Sequence, residues 1–296
     1  MKTARAMMAT LRPHQWVKNL FVAAPLVFGK KLTEPDALAM TAAAVAVFCA
    51  LSGAVYAMND VLDVERDRAH LTKCRRPVAS GQLSARAALG LAFVLAATAI
   101  AVAAALSLPL AVIAGSYLTI NILYSVKLKE VVFVDIMTIA TGFLLRVLGG
   151  AYAAAVSPSL WLLACTALLA AFLALGKRAH ELAHAAASTA HPVGKTRAVL
   201  VRYQLAQVRL GLYVLAVAAS VAYVLYTRSS HTIWFFGTDR MLWTAPFCVV
   251  GIGRFLVLVT RTPRGNGPTD EMLRDWPFIA NLAAWGAAVL GIIYWR

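Results

Sequence analysis

Asp60, Asp63 and Asp67 are spaced i, i+3 and i+7, which places three carboxylates on one face of an α-helix, with Asn59 just ahead of them. The chain has only 13 acidic residues, and four of them, counting Glu65, fall within eight positions here. Carboxylates so close repel one another unless a cation lies between them. Hard oxygen ligands of this kind suit Mg²⁺, which takes few carboxylates and completes its shell with substrate phosphates and water. Lys73, Arg75 and Arg76 follow directly and can donate to phosphate oxygens. The window 59–86 therefore supplies both halves of a diphosphate site. Asn59, Asp60, Asp63 and Asp67 are the candidate metal ligands, with the aspartates as catalytic groups, and Lys73 and Arg76 are the candidate phosphate donors. The competing reading is a solvated acidic face beside a basic headgroup anchor, and for Arg75 the two readings weigh equally.

The elements that must position these groups are membrane helices. Hydrophobic residues make up 61% of the chain and charged residues 14%, with a mean hydropathy of +0.72. Several apolar runs are long enough to cross ~30 Å of hydrocarbon. Nine such segments are predicted, at roughly 16–29, 37–58, 85–107, 109–125, 133–155, 159–177, 205–227, 241–261 and 276–295. The first is short and carries Lys18, Asn19 and Pro25, so eight spans is the alternative count. Pro and Gly punctuate the breaks, as at Ser157-Pro158 and Gly265-Asn266-Gly267-Pro268. No soluble domain is large enough to fold by itself, so residues 1–296 read as a single membrane domain.

Charge orients the chain and narrows its partners. Of the 28 Lys and Arg, 21 lie in the alternate loops 1–18, 59–86, 126–130, 177–209 and 261–275, against five in the opposite set. The positive-inside rule puts those loops, and the acidic motif, in the cytoplasm. The net charge of +15 does not signal nucleic acid, because the bases are parcelled among short loops. Cys49, Cys74, Cys165 and Cys248 have no paired spacing and read as small core residues without a disulfide framework. The stretch Met1–Trp16 has no cleavable apolar core of ordinary form, so no signal peptide is expected.

The pattern Asn59-Asp60-x-x-Asp63-x-x-x-Asp67, followed by His70-x-x-Lys73-x-x-Arg76-Pro77-x-x-x-Gly81, resembles the first signature of the UbiA superfamily of intramembrane prenyltransferases. Leu71 departs from it, since many members carry proline after the histidine. The resemblance implies an all-α integral membrane fold of about nine helices around a central cavity, with aspartate motifs that hold Mg²⁺ and a diphosphate. Members that transfer prenyl groups carry a second Asp-x-x-x-Asp between spans four and five. Here Asp135 has no acidic partner, because Ile139 stands four residues on. Asp135 remains a candidate catalytic group, with Lys127 and Lys129 as direct substrate contacts. That loop, the opening Arg12-Pro13-x-Gln15-Trp16-Val17-Lys18-Asn19, Gly142-Phe143-x-x-Arg146 and Gly176-Lys177-Arg178-x-x-Glu181 resemble the phosphoribosyltransferase branch of the superfamily.

Outside the motif, Arg146 lies eleven residues, three helical turns, beyond Asp135 and so on the same face. An arginine that deep should face the protein interior or a wet cavity, where it would contact a phosphate or pair with an acid. Asn121 and Tyr124, one turn apart, line the same cavity or serve helix packing. Lys18, Lys177 and Arg178 are further substrate-binding candidates. Lys195, Arg197, Arg202 and Tyr203 either shape a cap over the substrate or fix topology. His180-Glu181-Leu182-Ala183-His184 matches the H-E-x-x-H zinc pattern, but so short a pattern recurs by chance and no third ligand is evident.

The expected activity is Mg²⁺-dependent transfer of a 5-phosphoribosyl group from phosphoribosyl diphosphate to a decaprenyl-type polyprenyl phosphate. It would release diphosphate and feed arabinose-donor synthesis for the cell wall, at the cytoplasmic face of a bacterial inner membrane. The alternative is prenyl transfer from a prenyl diphosphate to an aromatic quinone or haem precursor. An anionic-substrate transporter explains the basic loops and Arg146 but not three aspartates at metal spacing. Chain length of the lipid, the number of metal ions and homo-oligomer formation are left open.

Overall fold

The computed structural model describes residues 2–69, 72–187, 204–260 and 267–295. His70, Leu71, Lys195, Arg197, Arg202 and Tyr203 lie outside them. The described residues form helices and no strand. Eight helices are long and apolar enough to cross a membrane, so the protein is an integral membrane protein. The chain divides into two compact units, residues 1–158 and 159–296.

The first unit opens with α1 (Lys2–Leu11) and a 3-10 segment, Pro13–Ala23, that runs into α2 (Ala24–Phe28). The spans α3 (Pro35–Leu62), α5 (Ala85–Leu106), α6 (Leu108–Val126) and α7 (Val134–Ala153) follow, with the short α4 (Val64–Arg68) after α3. The predicted first span is not an ordinary helix. Arg12 turns left-handed at φ 52°, and Pro13 then starts the 3-10 run. A 3-10 helix rises about 2.0 Å per residue against 1.5 Å in an α-helix, so Pro13–Phe28 laid end to end is about 30 Å long. That equals the hydrocarbon thickness, although the segment lacks the unbroken α-helix by which the eight spans are recognised.

This segment packs into the middle of its unit. Val22 is fully buried with Phe48, Leu51, Leu110 and Tyr117, and Phe21 meets Phe143 edge-on at 4.9 Å between ring centroids. Backbone approaches backbone at Gly150, where a Cβ would overlap the Val22 carbonyl oxygen. In the most apolar window of α7, 61% of residues are buried and in that of α3, 50%, against 17% in α5. The interior helices α3 and α7 are therefore the ones able to hold a protected polar site, while α5 is mostly unburied.

The second unit contains the spans α8 (Leu160–Ala187), α9 (Leu205–Arg228), α11 (Ala245–Thr260, entered through the 3-10 turn Arg240–Thr244) and α13 (Trp276–Tyr294). The short helices α10 (Ser230–Phe236) and α12 (Pro268–Arg274) connect them. Phe172 and Phe255 pack at 5.0 Å between centroids. Tyr223 shares its hydroxyl with Thr244 at 2.8 Å and accepts from Trp285 Nε1 at 2.9 Å, which satisfies three polar groups inside the bundle. Trp234, Trp243, Trp276 and Trp295 are largely exposed, as expected of interfacial belt residues.

Candidate active site

The acidic window does not form one continuous helical face. The helix α3 ends at Leu62, Asp63 sits at the joint, and α4 begins at Val64. Asp60 and Asp67 turn inward, with 1% and 3% exposure, while the Asp63 side chain is 23% exposed. The cations divide accordingly: Asp60 and Asp67 share Arg76, with Arg12 also on Asp60, whereas Asp63 meets Lys129 and Arg66.

Arg12, at the left-handed joint after α1, donates through Nη2 to Asp60 Oδ1 and lies over the Tyr56 ring at 5.0 Å. Left-handed backbone in a non-glycine residue is a strain of about 1–3 kcal/mol that surrounding contacts must hold in place, and here they aim the guanidinium at Asp60. Arg76, past the turn Lys73–Arg75, donates through Nη1 to Asp67 Oδ2 at 2.6 Å and stands 3.5 Å from Asp60 Oδ1. Lys129, 7% exposed in the turn Leu128–Glu130 after α6, donates to Asp63 Oδ1 at 2.9 Å. Arg66 joins the same edge, 3.9 Å from Asp63 and 3.4 Å from Glu130.

Both arginines engage the carboxylates through one terminal nitrogen only. A guanidinium carries five N–H donors, so each keeps a second edge for another anion. Two buried oxygens, Asn59 Oδ1 and Asp60 Oδ2, have no hydrogen-bond partner among the described residues. A buried acceptor left that way costs about 1–3 kcal/mol, and hard oxygens suit Mg²⁺, which takes few protein ligands and completes its shell with phosphate and water. Neighbours on a helix do not share a face, so the donor chemistry fits a Mg²⁺ ion held through Asn59 or Asp60 together with substrate oxygens. Among the described residues no three His, Cys, Asp or Glu side chains converge on a point, so Asp63 and Asp67 face the protein's own cations.

The other sequence candidates scatter around this cluster. Asp135 is fully buried at the start of α7, its Oδ1 accepting from the Ile136 N–H at 2.9 Å. Arg146 is buried further along the same helix. Its Nε donates to Asn19 Oδ1 at 2.7 Å, Nη2 to the Tyr117 hydroxyl at 2.7 Å, and Nη1 to the Gly142 carbonyl at 3.0 Å. Of the two partners considered in the sequence, the acid is absent: among the described residues no carboxylate pairs with Arg146. Asn121 donates to the Tyr117 carbonyl one turn back at 2.8 Å, and Tyr124 is half-buried a turn further on. Lys18 donates to Gln15 at 2.6 Å. Lys73 is half-buried and Lys127 exposed.

Lys177 and Arg178 lie on α8, in the second unit. Arg178 is fully buried and ion-paired to Glu181. His180 Nε2 is 3.9 Å from Glu271 on α12. The side chain of His184 lies outside the described residues, and no metal cluster involves this helix among those described. None of the four cysteines forms a disulfide.

Sequence reasoning assigned no site role to Arg12, Asn19, Tyr56 or Tyr117. Tyr117 had a readable signal, since Tyr117, Asn121 and Tyr124 fall at i, i+4 and i+7 on α6. Tyr56 likewise lies one turn before Asp60.

Comparison with known proteins identifies relatives of this chain. A decaprenyl-phosphate phosphoribosyltransferase from Mycolicibacterium smegmatis is 36% identical over 234 residues, covering 78% of this chain and 70% of the relative. One from Corynebacterium glutamicum is 33% identical over 301 residues, covering 98% and 87%. The fold matches that of a UbiA homolog from Archaeoglobus fulgidus bound to GPP and Mg²⁺, with a TM-score of 0.74, 17% identity, and 97% and 99% of the two chains covered. Residues 19–238 match the UbiA prenyltransferase family, and the chain belongs to that family.

Proposed function

We propose that this protein transfers a 5-phosphoribosyl group from phosphoribosyl diphosphate to a polyprenyl phosphate in the membrane, releasing diphosphate. The observation that carries the reading is the Asp60–Asp67 cluster with its two half-engaged arginines. It occurs in a chain 33–36% identical to decaprenyl-phosphate phosphoribosyltransferases over most of its length. The bond from ribose C1 to the diphosphate oxygen breaks, the diphosphate leaves with the electron pair, and a lipid phosphate oxygen bonds to C1. No electron acceptor is needed.

The main electrostatic task is to hold the negative charge that builds on the departing diphosphate. Asn59 and Asp60 supply the oxygens that suit Mg²⁺, which would neutralise that charge. Arg12 and Arg76 remain anchored on the carboxylates and offer their second N–H edges to phosphate oxygens, a bidentate geometry natural to guanidinium. Lys129 clamps the turn after α6 onto Asp63 and so fixes the wall of the site. A phosphate monoester is already ionised near neutral pH, so no strong base is required of the chain. The weight of basic loops on one side supports a cytoplasmic mouth, where a soluble sugar diphosphate arrives, at a bacterial inner membrane supplying cell-wall arabinose donors.

The test is direct. Purified protein with Mg²⁺, phosphoribosyl diphosphate labelled in the ribose and decaprenyl phosphate should move label into the lipid phase. Label staying in water, while geranyl diphosphate reacts with an aromatic acid, would replace this reading with prenyl transfer.

A further inference from the structure

Among the described residues, Arg146 is a cation held inside a membrane-spanning helix by neutral groups alone. It is 7% exposed, and its hydrogen bonds go to an amide oxygen, a phenol and a backbone carbonyl. The guanidinium carbon also lies 4.7 Å from the Tyr117 ring centre and 5.3 Å from that of Phe143. Three of its five N–H donors are used, so two are left over among the described residues. A charge within a span costs about 3 kcal/mol or more. Cation–π contact and neutral acceptors offset that only in part.

The cage around it is built, not incidental. Asn19 is 1% exposed, and its Nδ2 donates to Ser52 Oγ and Cys49 Sγ, each at 3.2 Å. Ser52 in turn donates to the Cys49 carbonyl at 3.0 Å. With its nitrogen committed to α3, the Asn19 amide can turn only its oxygen toward Arg146. The arginine is thus oriented by side chains from two other parts of the first unit, one of them fixed in turn by α3.

Its location follows from α3. Asp60, Tyr56 and Ser52 are four residues apart and share one face. Ser52, at the cage, is eight residues, or about 12 Å, deeper than Asp60. Tyr56 lies between them, half-buried, under Arg12 and within electrostatic reach of Arg146. One face of α3 therefore runs from the Arg12–Asp60 cluster past Tyr56 to Ser52, which accepts from the Asn19 that holds Arg146.

We infer that Arg146, caged by Asn19 and Tyr117, is a second anion centre that binds a phosphomonoester, separate from the diphosphate clamp at Asp60. The inference rests on the phosphoribosyl-transfer reading only for the identity of that group. Two sources share the chemistry: the 5-phosphate of the donor and the phosphate of the lipid acceptor. A prenyl donor offers nothing to this arginine, since beyond its diphosphate it is hydrocarbon, so a centre that takes the donor's 5-phosphate would also set donor class.

Binding of three probes separates the centres: ribose 5-phosphate, geranyl phosphate, and inorganic diphosphate with Mg²⁺. Arg146→Gln should weaken one of the two phosphomonoesters by about tenfold or more, the scale of one charge-assisted hydrogen bond. The one affected identifies the source, and diphosphate affinity should stay within about twofold. Because Arg146→Gln could fail to fold, Asn19→Asp serves as the second variant. It places a counter-charge on Arg146 with almost no change of shape, at the loss of the Nδ2 bonds to Ser52 and Cys49, and should lower phosphomonoester affinity in a protein that still folds. The inference is overturned if neither phosphomonoester binds the wild type. It is also overturned if Asn19→Asp folds and leaves both affinities unchanged, or if diphosphate weakens as much as the phosphomonoester. Failure of the phosphoribosyl reading is distinguishable: no label would transfer from phosphoribosyl diphosphate, while whichever phosphomonoester Arg146 binds would still respond to both variants.

Discussion

Replacing Arg76 with glutamine isolates what its charge contributes. Its Nη1 lies 2.6 Å from Asp67 Oδ2 and 3.5 Å from Asp60 Oδ1, so the two carboxylate oxygens are at most about 6 Å apart. Two unit charges at that distance repel by about 3 kcal/mol at an effective dielectric constant near 20. Arg12 still compensates Asp60, and Arg76 is 26% exposed. Solvent screening therefore reduces the net cost to about 1–3 kcal/mol. Thermal unfolding in detergent should show Arg76→Gln melting several degrees lower in chelator. Adding Mg²⁺ should then raise the variant's melting temperature more than the wild type's, because a divalent cation takes over the neutralising role that wild-type Arg76 already fills. Diphosphate affinity should fall in the same protein, since a direct phosphate donor is gone. A variant that melts with the wild type and responds no differently to Mg²⁺ would show that the acidic window is merely a solvated face.

Three further outcomes are expected. Asp60→Asn should reduce transfer by about a hundredfold or more, the scale of losing one group aimed at developing charge, and should abolish Mg²⁺-induced stabilisation. Unchanged turnover would remove Asp60 from the chemistry. Gly150→Ala should destabilise by about 1–3 kcal/mol, the ordinary cost of overpacking, because the added methyl meets the Val22 carbonyl. A melting temperature equal to wild type would contradict the close approach of α7 to the 3-10 segment. At the start of α13, Arg254 donates to both oxygens of Asp275, at 2.9 and 2.7 Å, and holds that carboxyl below its usual range. A carboxylate with a depressed folded-state pKa contributes stability above its unfolded value near 4, and that contribution fades as pH falls through the folded value. The melting difference between wild type and Asp275→Asn should thus be full at neutral pH and shrink below about pH 4. A difference independent of pH would assign the effect to the helix cap alone, where Asp275 Oδ1 accepts from the Phe278 N–H.

The legible features of this sequence are those carried by local spacing. Hydropathy marked the spans, and the shared face of Asp135 and Arg146 was readable from eleven residues of helical register, both side chains being buried on α7. The partners of the charged residues were not legible, because they come from far along the chain. Arg12 reaches Asp60 across 48 positions, Lys129 reaches Asp63 across 66, and Asn19 reaches Arg146 across 127. Nothing at Asp63 announces a helix joint: no proline or glycine is near, and the lysine that meets its side chain comes from another element. The 3-10 geometry of Pro13–Ala23 was hidden for a related reason. Hydropathy counts residues, whereas crossing a membrane is a matter of length, and a tighter helix covers more length per residue.

The distribution of arginine and lysine around the aspartates carries one more argument. Arginine stands at both positions that serve the inward-facing carboxylates, Arg12 and Arg76, and lysine at the position that holds Asp63, where exposure is greater. A lysine ammonium is a single point of charge, so a lysine on a carboxylate is largely committed to it, whereas a guanidinium can stay on the carboxylate with one nitrogen and present its other edge elsewhere. If Arg12 and Arg76 only balanced charge, lysine would serve as well. Arg76→Lys should therefore keep most of the wild-type melting temperature and Mg²⁺ response, because the charge is kept, but lose diphosphate affinity, because the second edge is lost. Equal loss of stability and affinity would mean that the arginine is structural. Loss of affinity alone would mean that the same residue keeps the aspartates apart and receives the phosphates.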